Sequence, residues 1–272
     1  MALCEVSGRK IYYELHAASV PTQAPPLVLV MGMAGACAGW LALQVPEFAK
    51  SRSVLIFDHR GVGESEDTGA PFSSADLAAD AATLIRNLEL GPVDVLGAFM
   101  GGMVCQELAL AQPDLIRKLV LVGTYAKADA KRRLLLEHWI HMVKQDLPRS
   151  SMVFDRLLWT LQDETLEQED LIEAMTQYYA DGGTPFTDEL LVRQCRACIE
   201  HDTADRLGAL PHSTMILCGR HDLLTPPKFH RELADLIPNA QLVTLSYGAH
   251  LVMVESAERF NHVVLQFLDD AR

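Results

Sequence analysis

The stretch Val93-Asp-Val-Leu-Gly-Ala-Phe-Met-Gly-Gly102 decides how this chain folds. Val93 to Gly97 is a run of strand length, apolar but for Asp94, and glycines stand two before and two after Phe99. Small residues on both sides of one central residue are what a tight strand-to-helix turn needs, because side chains there would collide. Residues 100–112 continue as a helix. A strand that ends in a sharp turn and feeds a helix is the unit from which a parallel sheet covered by helices is built.

The same alternation extends outward. Strands are expected at 2–6, 10–15, 27–31, 54–58, 93–97, 119–123, 215–219 and 241–245, the first two joined as a hairpin through Ser7-Gly8. Helices are expected at 73–88, 100–112, 226–236 and 257–270. Ser73 with Asp76 three residues on resembles a capping box, and Pro227 suits a helix start. The fold class is therefore α/β, a mostly parallel eight-stranded sheet with helices on both faces. The alternation stops between Tyr125 and Leu210, where four or five helices are expected, among them 128–144, 151–161, 165–179 and 188–200. The expected organisation is a sheet core of 1–125 and 211–272 with a helical cap, 126–210, inserted between two of its strands. Such an insertion should sit over the strands' carboxyl ends, where open α/β sheets bind ligands.

Composition narrows the function. The 272 residues are 49% hydrophobic, enough for a substantial core. The net charge of −13 argues against a nucleic-acid partner and mildly against a highly anionic substrate. The one basic cluster, Lys131-Arg132-Arg133, reads as a solvated helix face. The acidic run from Asp163 to Glu173 reads as an exposed rim. The six cysteines form no disulfide framework, and Cys195 with Cys198 are two small residues on one helix face. No charged segment leads into an apolar run at the start, and Pro25, Pro26, Gly32, Gly35, Gly39 and Pro46 interrupt the longest uncharged stretch. A soluble, cytoplasmic protein without a membrane role is expected.

Chemistry concentrates at strand ends. Residues 27–31 run into Gly32-Met33-Ala34-Gly35, a loop able to aim a backbone N–H above the sheet. Residues 215–219 run into Arg220-His221-Asp222, and 241–245 into Ser246-Tyr247-Gly248-Ala249-His250. An Asp and a later His on neighbouring strand-end loops can meet as a hydrogen-bonded pair, the Asp fixing the imidazole's tautomer.

With Asp58-His-Arg-Gly-Val-Gly-Glu-Ser65, the turn around Phe99, the stretch 108–123, Gly219-Arg-His-Asp222 and Gly248-Ala-His250 in order and spacing, the chain resembles the α/β-hydrolase superfamily. Its compact bacterial esterases, lactonases and C–C bond hydrolases are the nearest in kind. The resemblance spans nearly the whole chain, least surely the helical insertion. It implies a nucleophile–acid–histidine order with two backbone oxyanion donors. Carried over residue by residue, the acid is Asp222, the base His250, and the donors are the N–H groups of Met33 and Met100. The nucleophile does not carry over. Where the family pattern G-x-S-x-G requires serine, this chain has Gly97-Ala-Phe-Met-Gly101, and Phe99 offers no covalent catalysis.

Three readings stay open. The dyad and oxyanion donors can serve cofactor-free acid–base chemistry on a bound carbonyl compound: elimination, decarboxylation, cyclisation, isomerisation or attack by activated water. The chain can be a non-catalytic binder. Or Phe99 can be a replacement in an ordinary serine esterase or lactonase, or another residue can supply the nucleophile. Cys37, Cys105, Ser65 and Ser246 read better as structural. Arg60, Gly61 and Gly63 read as a turn rather than a phosphate cradle, and His138 with His141 lack further metal ligands nearby. No metal or cofactor is expected. Gly32, Trp139, Met142, Phe154, Trp159 and Tyr178 are expected to line a cavity for a small apolar or aromatic carbonyl substrate. Oligomeric state is left undetermined.

Overall fold

Eight strands and eleven α-helices are seen in a computed structural model that describes residues 2–181 and 187–270. Residues 1, 182–186 and 271–272, which fall in the expected core and cap spans, lie outside the described residues. The strands are β1 (Ala2–Val6), β2 (Arg9–His16), β3 (Leu27–Val30), β4 (Val54–Phe57), β5 (Val93–Ala98), β6 (Ile116–Val122), β7 (Ser213–Gly219) and β8 (Ala240–Leu245). The helices are α1 (Val45–Phe48), α2 (Ser74–Asn87), α3 (Met100–Ala111), α4 (Ala130–Lys144), α5 (Arg149–Thr160), α6 (Asp163–Leu166), α7 (Glu169–Ala180), α8 (Asp188–Glu200), α9 (Pro227–Leu236), α10 (Val252–Glu255) and α11 (Ala257–Asp269).

The strands form one sheet in the order β1-β2-β4-β3-β5-β6-β7-β8. The β1–β2 hairpin joins antiparallel to β4, and every pairing from β4 to β8 is parallel. β3, β4 and β5 are buried at every residue, which is why β3 and β4 read as unbroken apolar runs and β5 as one interrupted only by Asp94. Successive side chains still alternate between two cores. Val28, Val30, Leu55 and Val95 pack toward α2 and α3, whereas Leu27, Leu29, Val54 and Leu96 pack toward Trp40, Phe48 and Phe260 of α11. α2 starts in the capping box: the Ser73 hydroxyl accepts the Asp76 N–H at 3.2 Å, and Asp76 Oδ2 accepts the Ser73 N–H at 2.7 Å.

β6 begins three residues ahead of the expected 119, because its first charged residues have partners the sequence does not show. Arg117 forks onto Asp94 at 2.8 and 2.6 Å, and the Lys118 ammonium donates to the carbonyls of Phe267 and Asp270 at 2.8 and 2.6 Å.

Between β6 and β7 the chain forms α4 to α8. Asp129 caps α4 by accepting the Arg132 N–H at 2.8 Å, and Thr187 caps α8. α4 packs on α8, and α5 packs on α7. The Trp139 indole N–H donates to Asp155 at 2.7 Å, tying α4 to α5. The acidic residues between Asp163 and Glu173 are exposed. Among the described residues no helix is long and apolar enough to cross a membrane.

Candidate active site

The turn after β5 is as tight as its glycines imply. A Cβ on Gly97 would lie 2.3 Å from the Gly101 carbonyl oxygen, and one on Gly101 would lie 2.1 Å from that of Val30. Phe99 stands at the apex with φ 60° and ψ −117°, a conformation costing a Cβ-bearing residue about 1–3 kcal/mol. Its backbone is held by donation to Val122 O at 2.8 Å. Its ring sits between Gly32 and Gly123: an added Cβ would come within 2.6 Å of the ring at Gly32 and 2.9 Å at Gly123. The ring stacks on the His250 imidazole, centroids 4.0 Å apart and planes inclined by 24°.

β7 and β8 deliver the Asp–His pair from adjacent loops. His250 Nδ1 lies 2.9 Å from Asp222 Oδ2. Asp222 also accepts the Thr225 N–H and the Thr225 hydroxyl, both at 2.7 Å, and the hydroxyl is 3.1 Å from His250 Nδ1. Asp222 and His250 are both buried. Burial alone would push the Asp222 carboxyl up, but His250, the adjacent His230 and the Thr225 amide outweigh it and hold it below the ordinary carboxylate value. An ionised carboxylate only accepts, so the imidazole proton belongs on Nδ1 and Nε2 is the basic nitrogen. Among the described residues Nε2 makes no hydrogen bond, and His250 lines a cavity.

That cavity, about 130 Å³, lies above the turn. Met33, Phe99 and Met100 line its sheet side, and Leu224, Thr225 and Leu251 line it beside the dyad. The Met33 amide makes no hydrogen bond among the described residues, and the Met100 amide is the first of α3, where no helical acceptor exists. Two neighbouring elements position the Met33 loop. Gln194 of α8 accepts the Ala34 N–H at 2.9 Å, and Asp58 accepts the Cys37 N–H at 2.7 Å. The segment from Asp58 to Ser65 acts as a buttress: His59 Nε2 reaches Met31 O at 2.9 Å, and the Ser65 hydroxyl donates to Asp58 O at 2.8 Å.

Of the expected lining residues the structure brings Trp139 to the cavity, together with Phe99, the expected oxyanion donors Met33 and Met100, and the expected base His250. Gly32 lies beside it, under the Phe99 ring. Four of the expected lining residues need correction. Phe154 and Tyr178 are 46% and 61% exposed and face outward. Phe154 is two residues from Arg156, which does line the cavity, so the helical period carries it to the other side of α5. Met142 and Trp159 also lie elsewhere, Met142 with Phe154 at an outer depression and Trp159 under the Lys131 ammonium at 5.5 Å. A further correction concerns the basic cluster. Lys131 and Arg133 are exposed, but Arg132 is buried and lines the cavity.

Several residues were missed. Thr225 supports both members of the dyad; its signal is the turn spacing Asp222-Leu-Leu-Thr225. Gln162 and Glu255 hold the His250 loop, accepting the Gly248 N–H at 2.8 Å and the Ala249 N–H at 2.6 Å, with no local sequence signal. Cys37 and Cys105 are buried, and burial pushes both thiols up, away from the reactive thiolate. Among the described residues no group of three or more His, Cys, Asp or Glu is placed to hold a metal ion.

The α/β-hydrolase fold family matches residues 25–257, and the chain belongs to it. It is similar to a protein of Serratia proteamaculans named as a carbamate hydrolase, RutD, with 31% identity covering 95% of this chain and 96% of that protein. It is also similar to a protein of Mycobacterium tuberculosis named as a non-heme bromoperoxidase, BpoC, at 30% identity over 89% of this chain and 93% of that one. A solved hydrolase from Pseudomonas aeruginosa superposes with a TM-score of 0.87 at 28% identity, covering 99% of this chain and 98% of the other.

Proposed function

We propose that this α/β-hydrolase-fold chain is a cofactor-free enzyme that moves a proton on a small, mostly apolar carbonyl compound without forming an acyl-enzyme. One observation carries the reading: an aromatic ring at the nucleophile position lies flat on a histidine whose other side of the machinery is intact. His250 Nδ1 is held by Asp222 and Thr225, so Nε2 is the group that meets the cavity. A carbonyl group bound between the Met33 and Met100 amides would place developing negative charge on two preorganised donors. His250 then takes a proton, either from a carbon beside the carbonyl or from a water adding to it, and returns it to the product or leaving group. The imidazolium so formed faces the Phe99 ring, a favourable partner for a cation. A relative named as a carbamate hydrolase supports the carbonyl class. The insertion from α4 to α8 acts as the lid that keeps bulk water from the site.

The test uses a fluorophosphonate probe and simple aryl esters. The wild-type chain is expected to remain unlabelled. Phe99→Ser, which restores a hydroxyl beside His250, is expected to be labelled and to gain ester hydrolysis. Stoichiometric labelling of the wild type would expose a hidden nucleophile and end the proposal. A folded Phe99→Ser that stays unlabelled and inactive would show that dyad and amides are not aligned for carbonyl chemistry.

A further inference from the structure

The loop that carries the Met33 amide depends on a distant part of the chain for its shape. Ala34 has φ 59°, in the left-handed region that a Cβ-bearing residue keeps only when its surroundings hold it. Its N–H leaves the loop and donates to Gln194 Oε1 of α8 at 2.9 Å, a partner 160 residues along the chain. Gln194 is fully buried, and among the described residues its own Nε2 makes no hydrogen bond. An apolar side chain would fill that space without burying an unpaired donor, so the acceptor is what explains a glutamine here. Gln162 of the insertion repeats the arrangement: its oxygen takes the Gly248 N–H at 2.8 Å, and its Nε2 also lacks a partner. Gln194 is carried on a fixed strut. Just before it, Arg193 donates to Asp67 at 2.8 Å and to Ala70 O at 3.1 Å; one turn after it, the Cys198 carbonyl accepts the Tyr125 hydroxyl at 2.9 Å. The next residue of α8 touches the same loop, with the Cys195 thiol 3.6 Å from the Met33 sulfur.

We infer that Gln194 is a positioning residue for the oxyanion: it holds Ala34 in its left-handed turn and so aims the Met33 N–H at the cavity. The Ala34 N–H and the Met33 carbonyl share one rigid peptide plane. Fixing that plane from α8 fixes how Met33 is presented, and its own N–H is left for whatever enters the cavity. A donor already held in place stabilises developing charge without having to reorient as the reaction proceeds. The insertion then does more than exclude water, because one of the two oxyanion donors is set only when α8 is docked on the sheet domain. The inference rests on the reading of Met33 and Met100 as oxyanion donors, and it adds what holds one of them.

The test follows backbone amides of the full chain by NMR during titration with 4-nitrophenolate, a one-ring oxyanion, and with 4-nitrotoluene, its uncharged counterpart. In the wild type the phenolate is expected to move the Met33 and Met100 amide protons downfield, 4-nitrotoluene to move neither, and the Ala34 N–H to exchange slowly with solvent. In Gln194→Leu the Ala34 N–H is expected to exchange about tenfold faster or more, and the Met33 response to vanish while that of Met100 persists. Phenolate affinity is expected to fall about tenfold, with 4-nitrotoluene affinity unchanged. Gln194→Asn keeps the amide but withdraws it by one carbon; it is expected to give the same result with the packing less disturbed. A Met33 response that survives in either folded variant, or unchanged Ala34 exchange, overturns the inference. So does a wild-type Met33 amide that phenolate does not move, or a loss shared equally by both probes and both amides, which a merely structural role would give. Failure of the dyad reading appears separately, as turnover that does not depend on His250.

Discussion

Replacing Gly123 by alanine tests where the Phe99 ring lies. Gly123 has φ +56°, so any side chain there costs about 1–2 kcal/mol of backbone strain. The new Cβ would also stand 2.9 Å from Phe99 Cδ1 and 3.0 Å from Cε1, with His250 Cε1 at an ordinary 3.4 Å. Overpacking of this kind typically costs about 1–3 kcal/mol, so Gly123→Ala should destabilise the chain by roughly 2–5 kcal/mol in all. The two parts separate in a double-mutant cycle. In a Phe99→Ser background the ring atoms are gone and only the strain remains, so the second substitution should cost about 1–3 kcal/mol less. Urea denaturation of the four proteins, compared through their midpoints and slopes, gives the coupling energy. Additivity within about 0.5 kcal/mol would refute the packing of Phe99 against Gly123, and with it the account of how Phe99 closes the floor of the cavity.

Further outcomes follow from other parts of the structure. Ser73→Ala removes the capping box of α2 and should cost about 1 kcal/mol by chemical denaturation, with no change at the cavity. His201 is buried and its pKa is lowered to about 4, chiefly by burial, with the Glu107 charge opposing. A depressed histidine value contributes stability above its unfolded value of about 6.5 that is lost as pH falls toward 4. His201→Gln should therefore flatten the fall in stability between pH 7 and pH 5 by about 2 kcal/mol relative to the wild type; parallel pH profiles would contradict it. Thr225→Val removes one of the two bonds Thr225 gives Asp222 and the hydroxyl beside His250, and should lower kcat more than it raises KM.

Much of this architecture was legible because parallel strands buried on both faces are apolar runs, unbroken at Leu27–Val30 and Val54–Phe57 and interrupted at Val93–Ala98 only by Asp94. The loops after them carry short-range signals, so strand-end position made a meeting of Asp222 with His250 an expectation, and the family resemblance gave the two residues their roles. What the sequence concealed depends on partners far away in the chain. Arg132 sits between two exposed basic residues and looks like its neighbours until Leu224 and Asp129 are placed against it. Phe154 and Tyr178 are aromatic residues of the insertion, but only the rotation of α5 and α7 against their neighbours shows that they face outward. Gln162 and Glu255 hold the histidine loop through bonds that bridge the insertion and the sheet domain, and local pattern says nothing of them.

The central claim is that His250 performs the chemistry while Phe99 excludes a covalent intermediate. The most direct measurement is turnover of small esters, lactones and β-keto acids by wild type and His250→Ala at equal, saturating substrate. On the compound the wild type converts, the account predicts a loss of roughly 10²–10⁴-fold in kcat for His250→Ala. A variant that turns over as fast as the wild type would contradict it.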